Sequence, residues 1–398
     1  MAKKRIVDPF FPNRPVEDPD RFEARGKEVE EVVDCLFQSA NGNPTHTIIT
    51  GERGIGKSSL LLQAFYLAKG NNLLAEKFDI DIGFQEFNFI TTWVDAGSDQ
   101  SLENLLQNIF KNLQSSLKNI ISGWQIEFDL GGFIQLSKKP AKEKSISDLV
   151  GLFIDQINSV NRDVKKQNKQ GIIIFIDELD RLPITSGIAS FLKLCTERMA
   201  REGLKNVTFF AAGIKGAVQK FEEEHASVLR TLRDIPLDRF SETEAIEILK
   251  TGFESVDHTY EPQILTTAFK FSAGFPEPIH LIGSEILAED SDAHLTEEDF
   301  ERAKIKIVSD VRKNSLESKL KSAGVGKYQE ILDAMASYDD ENIPLEYVSK
   351  KIGLDPNQYS TNISTLLDRG IIFKVARGIY SFTDPLLKEY IRNFGTIK

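Results

Sequence analysis

The residues Gly51-Glu52-Arg53-Gly54-Ile55-Gly56-Lys57-Ser58 carry the spacing G-x-x-x-x-G-K-[ST]. Glycines at these intervals let the backbone curl so that successive N–H groups face inward, and a helix starting at Ser58 aims its positive dipole end at the same point. Such a cradle suits a polyphosphate. Lys57 is expected at the β- and γ-phosphates and the Ser58 hydroxyl on Mg²⁺, while Gly51, Glu52, Arg53, Gly54, Ile55, Gly56 and Ser59 complete the loop and first turn around them. The context agrees, with a strand expected over 46–50 and Leu60, Leu61, Ala64 and Leu67 following at helical spacing.

A second constellation is Ile172-Ile173-Ile174-Phe175-Ile176-Asp177-Glu178, an apolar run that ends in two carboxylates. A buried parallel strand tolerates charge only at its carboxyl end, where α/β sheets bind ligands. Asp177 is therefore expected in the Mg²⁺ shell and Glu178 beside the attacking water, which makes hydrolysis as well as binding the expectation. No N-K-x-D guanine-reading sequence follows, so the expected nucleotide is ATP rather than GTP.

Positioning these groups takes a sheet. Strands are expected over 46–50, 89–94, 172–176, 207–212 and 235–237, separated by helices, which fits a doubly wound parallel sheet covered on both faces. Residues 1–20, rich in Pro, Asp and Asn, read as an extended arm, and 21–240 as the core. Within the core, alternating apolar residues around Gly131-Gly132 suggest a β-hairpin inserted over 121–146, a candidate contact for a partner or a second copy. After Ser241 the pattern is helical, with helices expected over 242–254, 262–272, 276–289 and 296–313, a lid spanning 241–320. From 325 to 398, three amphipathic segments precede two strand-like runs joined through Arg377-Gly378, the element order of a winged helix.

Composition bounds the partners. With 398 residues and 41% hydrophobic content the chain exceeds what one core usually holds. The net charge of −11 and pI near 5.2 repel nucleic acid at long range, and residues 325–398 hold nine basic against ten acidic side chains. DNA contact would rest on Lys350, Lys351, Arg369, Lys374 and Arg377 with the Asn and Gln side chains of 357–362. No signal peptide or membrane span is read, which places the chain in the cytosol. Cys35 and Cys195 lack metal-ligand spacing and read as small buried residues.

The motifs together resemble the AAA+ ATPases, and within them the STAND and archaeal-type ATPases close to origin-recognition initiators. Besides the two constellations above, the resemblance is carried by Phe22-Glu23-Ala24-Arg25-Gly26-Lys27-Glu28, Asp177-Glu178-Leu179-Asp180-Arg181, Gly274-Phe275-Pro276 and the ending Phe382-Thr383-Asp384-Pro385-Leu386-Leu387-Lys388-Glu389-Tyr390. It implies a P-loop NTPase fold with strand order 5-1-4-3-2, a helical lid and a winged-helix domain, working by nucleotide-dependent closure or assembly. It also implies a lid contact at Pro276 and an arginine finger at Arg230, with Arg233 the lesser choice. Three departures matter. Ala211-Ala212-Gly213 stands where many relatives carry a polar sensor, which implies slow hydrolysis; the lid lacks the usual sensor arginine; and His280 is read as structural.

The expected function is an ATP-driven regulatory switch that controls its own assembly or a partner effector, with prokaryotic defence as a setting. The alternative is a DNA-binding initiator or transposition-type ATPase that acts through the winged helix.

Overall fold

Ile172 to Ile176 follow one another without a polar side chain, so their strand has to be covered on both faces. The computed structural model, which describes residues 6–120, 128, 132, 145–214 and 228–396, provides that cover. From Pro15 to Asp238 the chain forms one compact unit. Its elements are α1 (Gly26–Ala40), β1 (Thr47–Gly51), α2 (Lys57–Ala68), α3 (Leu73–Lys77), β2 (Ile90–Asp95), α4 (Leu102–Ile120), α5 (Ile146–Lys166), β3 (Ile172–Asp177), α6 (Ile188–Arg201), β4 (Val207–Ile214) and β5 (Arg233–Leu237).

The five strands pair in parallel in the order β2-β3-β4-β1-β5, which is the 5-1-4-3-2 order the resemblance implied. Alternation along β3 builds two cores at once. Ile172, Ile174 and Ile176 join Leu105, Ile109, Phe153, Phe191 and Phe209 in the cluster formed with α4, α5 and α6. Phe175 points the other way, its ring centroid 5.4 Å from Phe65 of α2 and 5.9 Å from Trp93 of β2. Cys35 and Cys195 are buried and free, as their spacing suggested. The hairpin expected over 121–146 lies outside the described residues except for Phe128, Gly132 and the stretch from Ser145, and Phe128 packs on Phe110 with centroids 4.9 Å apart.

The second unit comprises the residues up to Arg14 together with those from Arg239 onward. Its elements are α7 (Glu242–Glu254), β6 (Thr259–Tyr260), α8 (Pro262–Ser272), α9 (Pro276–Glu289), β7 (His294–Leu295), α10 (Glu297–Lys306), α11 (Lys313–Ser322), α12 (Lys327–Ala336), β8 (Ile343–Pro344), α13 (Leu345–Ile352), α14 (Pro356–Asp368), β9 (Ile372–Ala376), β10 (Ile379–Phe382) and α15 (Pro385–Phe394). Ser241 and Glu244 close a capping box that starts α7. The helix expected over 296–313 is α10 continued by a π-helical turn, and α11 begins only at Lys313. A π-turn, Ile307–Val311, follows α10 and precedes α11, and it buries Ile307 and Val308. The parallel bridge of β6 with β7 and the short β8 were not read from sequence, since two-residue strands carry no period. The strands β8, β10 and β9 form an antiparallel sheet in that order beside α12, α13 and α14. No described helix is long and apolar enough to cross a membrane.

Candidate functional site

The loop between β1 and α2 is shaped by contacts that only small residues allow. A Cβ on Gly51 would stand 2.7 Å from the Ile55 side chain and 2.9 Å from the Leu237 carbonyl oxygen, so Gly51 lets the loop fold back on the sheet. Gly56 precedes α2 at φ 97°, a left-handed conformation costly for other residues. Ile55, 1% exposed, plugs the loop into the core. The first N–H groups of α2 have no partner within the helix, as at every helix start, and these belong to Lys57, Ser58 and Ser59.

Lys57 curls over its own loop, Nζ donating to the carbonyl of Glu52 at 2.8 Å and of Gly51 at 3.3 Å. Burial lowers the proton affinity of this amine, and the charges of Asp180, Asp177 and Glu178 oppose that shift. Asp177 ends β3 at 7% exposure. Desolvation raises its pKa, while hydrogen bonds from the Ser58 hydroxyl and the Glu178 amide pull the other way. The structure thus brings Lys57, Ser58 and Asp177 together from two strand ends. A hydroxyl bonded to a carboxylate is a hard-oxygen donor set that suits Mg²⁺, and an ammonium resting on main-chain carbonyls suits an arriving phosphate.

Glu178 adopts a left-handed backbone at φ 53°, and its carboxylate pairs with Arg181 at 2.7 Å. Burial raises its pKa, helped by Asp177, Asp95 and Asp180 and opposed by Arg181. Asp95 ends β2 in register with Asp177, so two carboxylates stand on adjacent strands at the sheet's carboxyl edge. Asp180 accepts from the Ile214 amide at 2.9 Å.

The other expected residues fall elsewhere. The Ser59 hydroxyl accepts from the Val16 amide at 3.1 Å. Arg230 is exposed on the turn Val228–Thr231 and is not one of the principal charges on Lys57, Asp177 or Glu178. Arg233 pairs with Glu31 at 3.2 Å. In the second unit, Pro276 occupies the first turn of α9, and His280 is buried between the rings of Phe10 and Phe11 with centroids 6.0 and 6.2 Å away.

Residues 21–207, which contain all of this loop and both carboxylates, match the model of the AAA ATPase domain. They form an AAA ATPase domain. With it comes nucleotide binding, and the activity is that of an ATPase. Residues 320–391 match a domain of unknown function. The fold is similar to that of the Walker-type ATPase of Pyrococcus abyssi, at 18% identity and TM-score 0.58 over 95% of this chain and 98% of that one. It is also similar to the ORC2 protein of Aeropyrum pernix, solved in ADPNP–ADP complexes, at 16% identity and TM-score 0.55 over 94% of each chain. No curated protein sequence matches the chain.

Sequence reading missed several partners around the AAA domain's loop. Arg25, singled out only as part of a motif, adopts a left-handed backbone and is 7% exposed; its guanidinium bonds Glu28, the Ile55 carbonyl and the Asp238 carbonyl. Asp95, Asp180 and Arg181 were also unassigned, although each stands within four residues of a strand end, which is the signal that could have pointed to them.

Proposed function

We propose that the chain is a Mg²⁺- and ATP-dependent switch whose AAA domain controls assembly with a second copy or with a partner effector. The observation that carries the reading is the triad of Lys57 on the loop carbonyls, Ser58 and Asp177. The backbone from Gly51 to Ser59 binds the phosphates, Lys57 exchanges its carbonyl partners for phosphate oxygens, and Ser58 and Asp177 hold the metal. Magnesium, when bound, supplies charge neutralisation on the phosphates. Glu178 orients the water and takes its proton, a role suited to a carboxylate whose pKa burial has raised; its pairing with Arg181 is the resting arrangement. Arg230, exposed on the turn Val228–Thr231, serves a neighbouring copy as an arginine finger, and Pro276 closes the lid side. We divide the chain as an arm over 1–20, a core over 21–240, a lid over 241–320 and a winged helix over 325–398. The helices α12 to α14 and the sheet β8-β10-β9 support the last assignment.

A second reading, a DNA-acting ATPase, draws on the uncharged exposed polar side chains of Asn357, Gln358, Ser360 and Thr361 on α14. The near balance of charge in this region favours the first. The test is calorimetric titration of the protein with ATP, with and without Mg²⁺, alongside Lys57→Ala. Metal-dependent binding abolished by the substitution is expected; binding that survives it would remove the reading. Glu178→Gln should trap ATP and the assembled state, read by mass photometry. Duplex binding that weakens steeply with salt would favour the second reading.

A further inference from the structure

The closing motif of the chain places Lys388 on α15, where it takes no part in the nucleotide chemistry above. Its side chain lines a cavity of about 660 Å³ within the second unit, bounded by α8, α10, α15 and the segment 339–342. That volume is ordinary for a small-molecule site. Apolar walls come from Phe271, Phe300 and Pro385, the two rings meeting edge-on with centroids 6.1 Å apart. Lys388 is 9% exposed, and its Nζ donates to the Asp340 carbonyl at 2.6 Å. One N–H is thereby fixed, and a neutral amine held in this way turns its lone pair away from that carbonyl. Burial lowers the pKa of this amine to about 8, helped by Arg392 one turn along α15 and opposed by Glu341, Asp340 and Asp339. Lys304 lines the same cavity but is held by Glu301 at 2.7 Å and Glu389 at 3.5 Å, so the two amines differ in what surrounds them.

We propose that this cavity is a binding site for an aldehyde with an apolar body, which Lys388 holds as an imine. The Nζ lone pair forms the C–N bond as the carbonyl π pair moves to oxygen. Both Nζ protons end on that oxygen, which departs as water, so amine and aldehyde yield imine and water with no other reactant. The apolar body rests on Phe271, Phe300 and Pro385. Asp339, Asp340 and Glu341 stand around the amine and stabilise a protonated imine, whereas they would repel the anion that an amine forms with carbon dioxide, which favours an aldehyde as the ligand. Nucleotide binding plays no part in this site.

The test is reductive labelling of the full chain at neutral pH with benzaldehyde and cyanoborohydride, each lysine being followed by peptide mass spectrometry. Near pH 7 about one-tenth of an amine with pKa about 8 is neutral, against less than about one-thousandth of an ordinary lysine, and its lower basicity takes back part of that advantage. Lys388 should therefore gain the benzyl group at least about tenfold faster than Lys304 or the exposed Lys374, and its rate should saturate as benzaldehyde is raised. Formaldehyde, which has no apolar body, should label Lys388 without saturation. In Lys388→Arg, whose guanidinium stays charged and forms no imine, the saturable component should vanish while Lys374 is labelled as before. Labelling of Lys388 no faster than that of Lys374, or a rate that stays linear in benzaldehyde, would overturn the proposal. So would a saturable component that survives in Lys388→Arg.

Discussion

The guanidinium of Arg25 donates to the carbonyl of Ile55 at 3.3 Å and to that of Asp238, so one buried cation joins the nucleotide loop to the end of β5. Ile55 is the loop's only wholly apolar anchor, and Arg25 holds the backbone of that same residue. The pose of the loop therefore depends on a side chain thirty residues upstream.

Arg25→Ala leaves two buried or half-buried carbonyls without this donor and is expected to cost about 3 kcal/mol of stability. It should also weaken nucleotide binding at least about tenfold, because the loop's pose is lost. Arg25→Lys keeps the charge but not the fork that reaches Glu28 and both carbonyls, and should recover less than half of either effect. Chemical denaturation and nucleotide titration check both.

Mg²⁺ dependence should fail early on acidification. Burial raises the Asp177 pKa, and only the ionised carboxylate ligates a metal, so metal-dependent affinity is lost as pH falls through a value above that of an ordinary aspartate. Metal-independent binding should outlast it. Asp177→Asn should remove the metal-dependent component at every pH; titrations with and without Mg²⁺ across the acid range read the difference.

His46 and His280 are both buried and neutral, each with its pKa pushed down to about 4 by desolvation. The unfolded chain takes up these protons near pH 6.5 and the folded one only near pH 4, so stability is present at neutral pH and drains away as pH falls between the two. Each accounts for about 3 kcal/mol of stability that is present at neutral pH and lost by the acid end of that window. His46 Nδ1 accepts the Phe209 amide at 3.2 Å, and His280 Nδ1 has no hydrogen-bond partner among the described residues. His280→Phe should therefore flatten the fall of melting temperature below about pH 6 without the loss of a hydrogen bond that His46→Phe would incur.

The ring of Phe10 occupies a slot between Gly252 and Gly283. A Cβ on either glycine would come within 2.3 or 2.6 Å of the ring, and Phe253 meets it edge-on at 5.5 Å. Phe10→Ala should cost about 3 kcal/mol within the second unit. Gly283→Ala, which leaves the arm's own sequence intact, should expel the ring and raise chymotryptic cleavage after Phe10 at least about tenfold, since cleavage follows the open population. Unchanged cleavage would show that the slot does not hold the arm.

The glycine loop, the apolar strand ending in Asp177 and Glu178, four helix starts after Ser241 and the order of C-terminal elements were legible in the chain itself. They rest on local periods and fixed spacings, and a strand or a helix start is decided within a few residues of itself. What surrounds the loop was not legible. Arg25 meets Asp238 across 213 positions, Asp180 meets Ile214 across 34, and Phe10 finds Gly252 and Gly283 on two separate helices. Such pairings depend on which strands become neighbours and in what register, and closing long loops carries no sequence period of its own. The same limit applies at Ile307: the pattern announced a helix to 313, and its change from α to π over Ile307–Val311 has no local period to announce it.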